Sequence, residues 1–283
     1  MADSYPEDLI NNVINFIEYE REVYGDFSLN KESSNHEVSV KEQKTDDNEE
    51  HENMVEDTTS NYASSESFSQ EETDEATDAS DDKKKTKTIQ DYIDACNSLK
   101  ELEALCKKAD ILRTDLEGTQ LVFGVGNSNA DLMLIGEAPG AEEDRLGEPF
   151  VGKAGQLLNK ILAAIDFDRK DVYIANILKH RPPNNRNPKE EERQRSLPFL
   201  LKQIDLVNPK LILSLGKVSA QTLLNKNSSL SSMRGHFHTF RNEYELLATY
   251  HPAALLRHAK WKRPTWEDVK LLRKRYDEVG GEP

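Results

Sequence analysis

The stretch Leu132-Met133-Leu134-Ile135-Gly136-Glu137-Ala138-Pro139-Gly140-Ala141-Glu142-Glu143-Asp144, continued by Gly147-Glu148-Pro149-Phe150-Val151-Gly152, decides how the rest of the chain is read. Four consecutive apolar residues, stopped by glycine, read as a buried strand. Beyond the loop, Ala154, Leu157, Leu158, Ile161, Leu162 and Ile165 share one helical face. A strand therefore ends, a glycine-rich acidic loop turns, and a helix begins. In open α/β sheets ligands sit in the loops at the carboxyl ends of the strands. A cluster of carboxylates with one aromatic, Phe150, in such a loop points to more than a chain reversal.

The same strand-loop-helix unit recurs downstream. Val172–Leu178 reads as a strand running into the basic, proline-stiffened loop Lys179-His180-Arg181-Pro182-Pro183-Asn184-Asn185-Arg186. Asn187-Pro188-Lys189-Glu190 reads as a helix start, with Asn187 as cap, Pro188 at the first position and Glu190 reaching back. Leu211–Leu215 makes a third strand ending at Gly216, and Glu245–Tyr250 a fourth running into His251-Pro252; a last helix spans about 265–276. Upstream, residues 89–108 carry a helical apolar face, and 120–124 suggest a short strand. Apolar strands alternating with helices predict an α/β fold, a three-layer α/β/α sandwich on a central four-stranded parallel sheet. The strand ends Gly136, Asn176, Gly216 and His251 then fall on one edge.

The N-terminal third differs in composition. Residues 1–27 include Leu9, Ile10, Val13, Ile14 and Ile17 at helical spacing, a short amphipathic helix that suits either its own globular domain or a protein partner. Residues 28–87 are dominated by Asp, Glu, Ser, Thr and Asn without periodicity, so a disordered acidic linker is expected, with the globular domain at 88–283. Of the 52 acidic residues, 25 lie in residues 1–88 against 8 basic ones, which leaves 27 acidic and 29 basic beyond. The net charge of −15 therefore belongs to the arm and does not exclude a polyanionic ligand for the domain. Two cysteines, with no secretory h-region and no long apolar span, predict an intracellular, cytoplasmic, membrane-free protein, expected as a monomer.

The loops on the shared edge supply carboxylates (Glu137, Glu142, Glu143, Asp144), an amide (Asn176), an aromatic plane (Phe150) and an imidazole (His251). The cations Lys179, Arg181, Arg186, Arg257, Lys260, Lys262 and Arg263 flank them. A nucleobase needs this kind of set: an amide to read an edge with donor and acceptor atoms, a ring to stack on, and cations for phosphates. A carboxylate orients water or stabilises a developing sugar cation, and an imidazole supports a departing anion. Singly, each of these residues also suits a cap, a turn or a core position.

The motifs resemble the uracil-DNA glycosylase superfamily, and within it the family 4 branch. The resemblance rests on Gly136-Glu137-Ala138-Pro139-Gly140, Pro149-Phe150-Val151-Gly152, Tyr173-Ile174-x-Asn176, Arg181-Pro182-Pro183-x-Asn185-Arg186 and His251-Pro252-Ala253-Ala254-Leu255-Leu256-Arg257. It covers residues 105–278. It implies a DNA glycosylase that releases uracil from deoxyuridine in DNA and leaves an abasic site for base excision repair. The backbone of Gly136 to Ala138 would contact uracil, Phe150 would stack on it, Asn176 would read its N3 and O4 edge, and His251 would donate to O2. Glu137 and Glu143 would position or activate water. Leu255 or Leu256 would wedge into the duplex, with Arg257, and with Arg181, Asn185 and Arg186 of the basic loop, on the DNA. A glycosylase for hypoxanthine or xanthine, or a non-catalytic DNA-binding repair module, are the alternative readings. Family 4 members carry four cysteines on a [4Fe–4S] cluster. This chain has only Cys96 and Cys106, with His180 at the third position and no cysteine near Arg195-Ser196, so no cluster and no other metal is expected. Helix packing by residues 89–108 would replace the cross-link.

Overall fold

A computed structural model describes residues 87–282. The expectations for residues 1–27 and, Lys87 apart, for the acidic linker 28–87 lie outside them. In chain order the principal elements are α1 (Ile89–Asp94), α2 (Leu99–Cys106), β1 (Val125–Gly126), β2 (Leu132–Gly136), α3 (Ala141–Leu146), α4 (Lys153–Ala163), β3 (Tyr173–Asn176) and α5 (Glu190–Val207). They continue with β4 (Leu211–Leu215), α6 (Lys217–Leu224), α7 (Leu230–Met233), β5 (Phe237–Phe240), β6 (Tyr244–Thr249), α8 (Pro252–Arg257) and α9 (Lys262–Glu278).

The strands form one sheet in the order β1-β3-β2-β4-β6-β5. Its centre, β3-β2-β4-β6, is the parallel array expected from the apolar runs. The sheet has six strands rather than four, because β1 and β5 pair antiparallel at the two edges. Neither carries the continuous apolar run that marks a strand buried on both faces. β1 is two residues long, and β5 mixes Phe237 and Phe240 with His238 and Thr239. The turn from β5 to β6 has positive φ at Arg241 and Asn242. Residues 120–124, expected as a strand, are irregular, although the Val122 amide donates to the Lys179 carbonyl at 2.8 Å.

Alternation along β2 sorts its side chains between two cores. Leu132 and Leu134 pack with Leu158 and Leu162 of α4 and with Val269, Leu272 and Tyr276 of α9. Met133 and Ile135 pack with Leu200, Ile204 and Val207 of α5 and Leu223 of α6. Helices thus cover both faces of the sheet, as the sandwich expectation required. Each of these side chains contributes about 1.5–3 kcal/mol on burial.

Two local expectations are corrected. The helix foreseen over 89–108 is two helices, because Ser98 takes the N-cap of α2 and accepts from the Glu101 amide at 3.2 Å. The cap of α5 lies at Lys189 rather than Asn187: the Glu192 carboxylate reaches back to the Lys189 amide at 2.7 Å and fixes the first turn there. Among the described residues no helix is long and apolar enough to cross a membrane.

Candidate active site

The carboxyl ends of β2, β3 and β4 and the loop after β6 open into one cavity of about 420 Å³. Its walls include Glu137, Ala138, Glu143, Phe150, Asn176, Asn185, Arg186, His251 and Arg257, all foreseen from the sequence. Gly136, Arg181, Leu255 and Leu256 were foreseen too, but stand outside the walls.

Gly136 acts from beneath. A Cβ there would collide with the Asn176 amide oxygen and the Phe150 ring, so only glycine lets the two side chains meet. β2 and β3 are zipped past this point by the Ile177 amide to the Gly136 carbonyl (3.0 Å) and the Leu178 amide to the Glu137 carbonyl (3.1 Å). Asn176 itself is buried, and its Oδ1 has no hydrogen-bond partner among the described residues. A buried acceptor without a donor costs free energy unless a ligand supplies one.

Phe150 has φ +53°, a strained value for an aromatic residue. Its turn is held from two sides. The Glu143 carboxylate accepts from the amides of Val151 and Gly152, both at 3.0 Å, and from that of Gly140 at 3.1 Å. The Arg169 guanidinium donates to the carbonyls of Pro149 and Phe150. Glu143 thus has a different occupation from the water activation foreseen for it. Glu137 differs: burial raises its pKa above the ordinary carboxylate range, and Arg193 opposes the rise. Arg169 and Arg193 could not be singled out in the sequence, since one sits in an ordinary turn and the other among the charges of a helix start.

His251 caps α8. Its Nδ1 accepts the Ala253 amide at 3.1 Å. An amide only donates, so Nδ1 is unprotonated and the neutral ring carries its proton on Nε2. Burial, with Arg257 nearby, pushes the His251 pKa down to about 4 and keeps this form. The ring stacks on Phe150 with centroids 5.4 Å apart.

The cations divide. Arg186 is held bidentate by Glu192 at 2.7 and 2.8 Å, with Asp115 at 3.1 Å, so its fork is already committed to carboxylates. Arg181 donates to the Asn185 side chain at 2.7 Å. Lys179, foreseen among the phosphate-holding residues, is wholly buried. Its Nζ donates to the carbonyls of Asn176 (2.9 Å) and Phe123 (3.3 Å) and to the Gln203 side chain. Burial lowers its pKa to about 7. Of the two leucines on α8, Leu255 is 3% exposed and belongs to the interior, whereas Leu256 is 44% exposed. The wedge expectation is thereby withdrawn for Leu255.

The donor set does not fit a four-thiolate cluster. Cys96 and Cys106 are buried in an apolar cluster with Ile93, Leu102, Leu112, Phe123 and Phe199, which joins α1 and α2 to α5. Burial pushes the Cys106 thiol up to about 12 and raises that of Cys96, whereas ligation needs thiolates. His180 Nδ1 lies 3.0 Å from the Thr119 hydroxyl, and the Ser196 hydroxyl donates to the Ile177 carbonyl.

Residues 123–270 match the profile of the uracil DNA glycosylase superfamily. The chain is 40% identical over 174 residues to the type-4 uracil-DNA glycosylase of Archaeoglobus fulgidus, covering 59% of this chain and 86% of that one. It is 41% identical over 181 residues to that of Pyrobaculum aerophilum, covering 62% and 92%. With that of Thermotoga maritima it shares 38% over 167 residues, covering 58% and 87%.

Proposed function

This chain belongs to the uracil-DNA glycosylase superfamily, in its type-4 branch, and on that premise we infer that it hydrolyses the N-glycosidic bond of deoxyuridine in DNA. Uracil leaves, an abasic site remains, and base excision repair follows. The observation that carries the reading is the unpartnered Asn176 Oδ1. Uracil presents an N3–H donor beside the O4 acceptor, so it satisfies Oδ1 and the amide nitrogen together. Cytosine presents an N3 lone pair there and leaves the buried oxygen facing another acceptor.

The reaction runs by heterolysis of the C1′–N1 bond. The bonding pair stays with uracil, and C1′ becomes cationic. Phe150 lies against the base, and neutral His251 donates from Nε2 to O2 as negative charge grows there. A preformed neutral donor needs no reorganisation at that moment. Glu137 orients the water that adds to C1′ and, with its negative charge, stabilises the cation; the proton this water gives up balances the one taken up by the departed uracil anion. Glu143 and Arg169 act on Phe150 through its backbone.

In a duplex the nucleotide has to be turned out of the stack to bring its base into the cavity, at a cost of a few kcal/mol. Leu256, exposed beside Arg257, fills the space it leaves. Arg257 and Asn185 line the strand's approach, Arg181 holds Asn185 in place, and Arg186, committed to Glu192 and Asp115, braces the same loop. The domain acts as a monomer at the cell's DNA and without an iron–sulfur cluster, its α1–α2 packing standing in for the staple.

Duplex and single-stranded oligonucleotides containing uracil, hypoxanthine or xanthine test the reading. Cleavage at uracil after alkali treatment is expected. Release of only a purine, or of no base, refutes it.

A further inference from the structure

Lys179 is a buried cation, and among the described residues no carboxylate pairs with its ammonium. Its three N–H bonds are met by three acceptors: the Asn176 carbonyl, the Phe123 carbonyl and the Gln203 amide oxygen. Gln203 is fixed in turn, its Nε2 donating to the Phe123 carbonyl at 3.0 Å and to the Tyr173 hydroxyl at 3.2 Å. A lone buried charge is costly, and apolar replacement of comparable volume is often neutral or stabilising. What distinguishes the place is its target, the backbone of the residue whose side-chain amide faces the cavity.

The end of β3 is gripped from two sides. On one, the amides of Ile177 and Leu178 bind the Gly136 and Glu137 carbonyls. On the other, Lys179 holds the Asn176 carbonyl at 2.9 Å. Resting on the reading of Asn176 as the uracil-recognising amide, we propose that Lys179 is a positioning residue for base selection. Its ammonium locks the strand end so that the Asn176 Oδ1 and Nδ2 meet the uracil edge without reorganising. The polar groups Gln203 and Tyr173 form the second layer of the same device. Lys179 touches neither base nor DNA, which separates this role from phosphate binding.

The test is product inhibition by free uracil, because it reads the pocket without the chemistry. Lys179→Met removes all three donors at similar volume, and Lys179→Gln keeps two N–H donors on a shorter stem. Wild-type excision of uracil is established first; its absence would defeat the functional reading rather than this one. With excision present, Lys179→Met is expected to raise the inhibition constant for uracil tenfold or more. Lys179→Gln should fall between it and the wild type. Affinity for an abasic-site oligonucleotide should stay within about twofold, since the DNA grip lies elsewhere. A residue serving the fold alone would lower the active fraction and melting temperature and leave uracil affinity unchanged. An unchanged inhibition constant in Lys179→Met overturns the proposal, and so does failure of both variants to fold.

Discussion

Glu143 and Arg169 grip opposite sides of one turn: the carboxylate takes the amides of Val151 and Gly152, and the guanidinium the carbonyls of Pro149 and Phe150. Between them Phe150 is kept at φ +53° in the wall of the cavity. The strained conformation persists because both polarities of the backbone are satisfied around it. Substitution distinguishes this clamp from a water-activating base. Glu143→Gln keeps an amide oxygen for the Val151 and Gly152 amides, and should retain more than about a tenth of the single-turnover rate. Loss of a general base costs about 10²–10⁴-fold. A fall of more than a hundredfold in Glu143→Gln would return water activation to this residue.

His251 gives a pH prediction. Its folded pKa, pushed down to about 4, lies below the ordinary 6.5. The unfolded chain therefore binds the extra proton first as pH falls. Its contribution to stability is complete above pH 6.5 and is lost progressively toward pH 4. Chemical denaturation across pH 4–7 should show that decline, and His251→Ala should flatten it. Single-turnover excision should show no acid limb centred on 6.5, because the donating neutral ring persists below that value. An inflection at 6.5 that vanishes in His251→Ala would contradict the assigned protonation.

Asn176→Ala removes the amide that matches uracil and refuses cytosine. Discrimination between the two bases should collapse by about 100-fold or more, since selectivity built on paired buried polar groups is large. Competition between uracil- and cytosine-containing oligonucleotides measures it. Discrimination equal to wild type would take base reading away from Asn176.

The two leucines of α8 should separate stability from DNA handling. Leu255→Ala opens an interior cavity and should cost about 2–5 kcal/mol in denaturant unfolding. Leu256→Ala, at an exposed position, should change stability by less than about 0.5 kcal/mol. Its excision from duplex DNA should slow more than excision from single strands, where no stack has to be filled. Equal slowing on both substrates would argue against a wedge.

Much of the fold was legible because it depends on local pattern. The runs Leu132–Ile135 and Leu211–Leu215 mark strands buried on both faces, and the 3–4 spacing of Leu157, Leu158, Ile161 and Leu162 marks a helix lying on them. The parallel order put Gly136, Asn176 and His251 on one edge from connectivity alone. The edge strands β1 and β5 escaped because a short strand paired on one side needs no apolar run.

The sequence by itself determined the α/β architecture, the acidic imbalance of the N-terminal third, the shortage of cysteines and the residue types brought to the sheet edge. Tertiary structure decided what each of them does. Glu137 and Glu143 are both glutamates of one loop and both line the cavity, yet burial raises the pKa of the first while three backbone amides occupy the second. Leu255 and Leu256 are neighbours, yet a helix turns successive side chains by about 100°, which sends one inward and the other outward. Lys179 reads as a surface cation in a basic loop and is buried behind Asn176, because its acceptors Phe123 and Gln203 lie 56 and 24 residues away in the chain. Periodicity reports which face a residue shares; hydrogen-bond partners across the fold determine its protonation, its aim and its role.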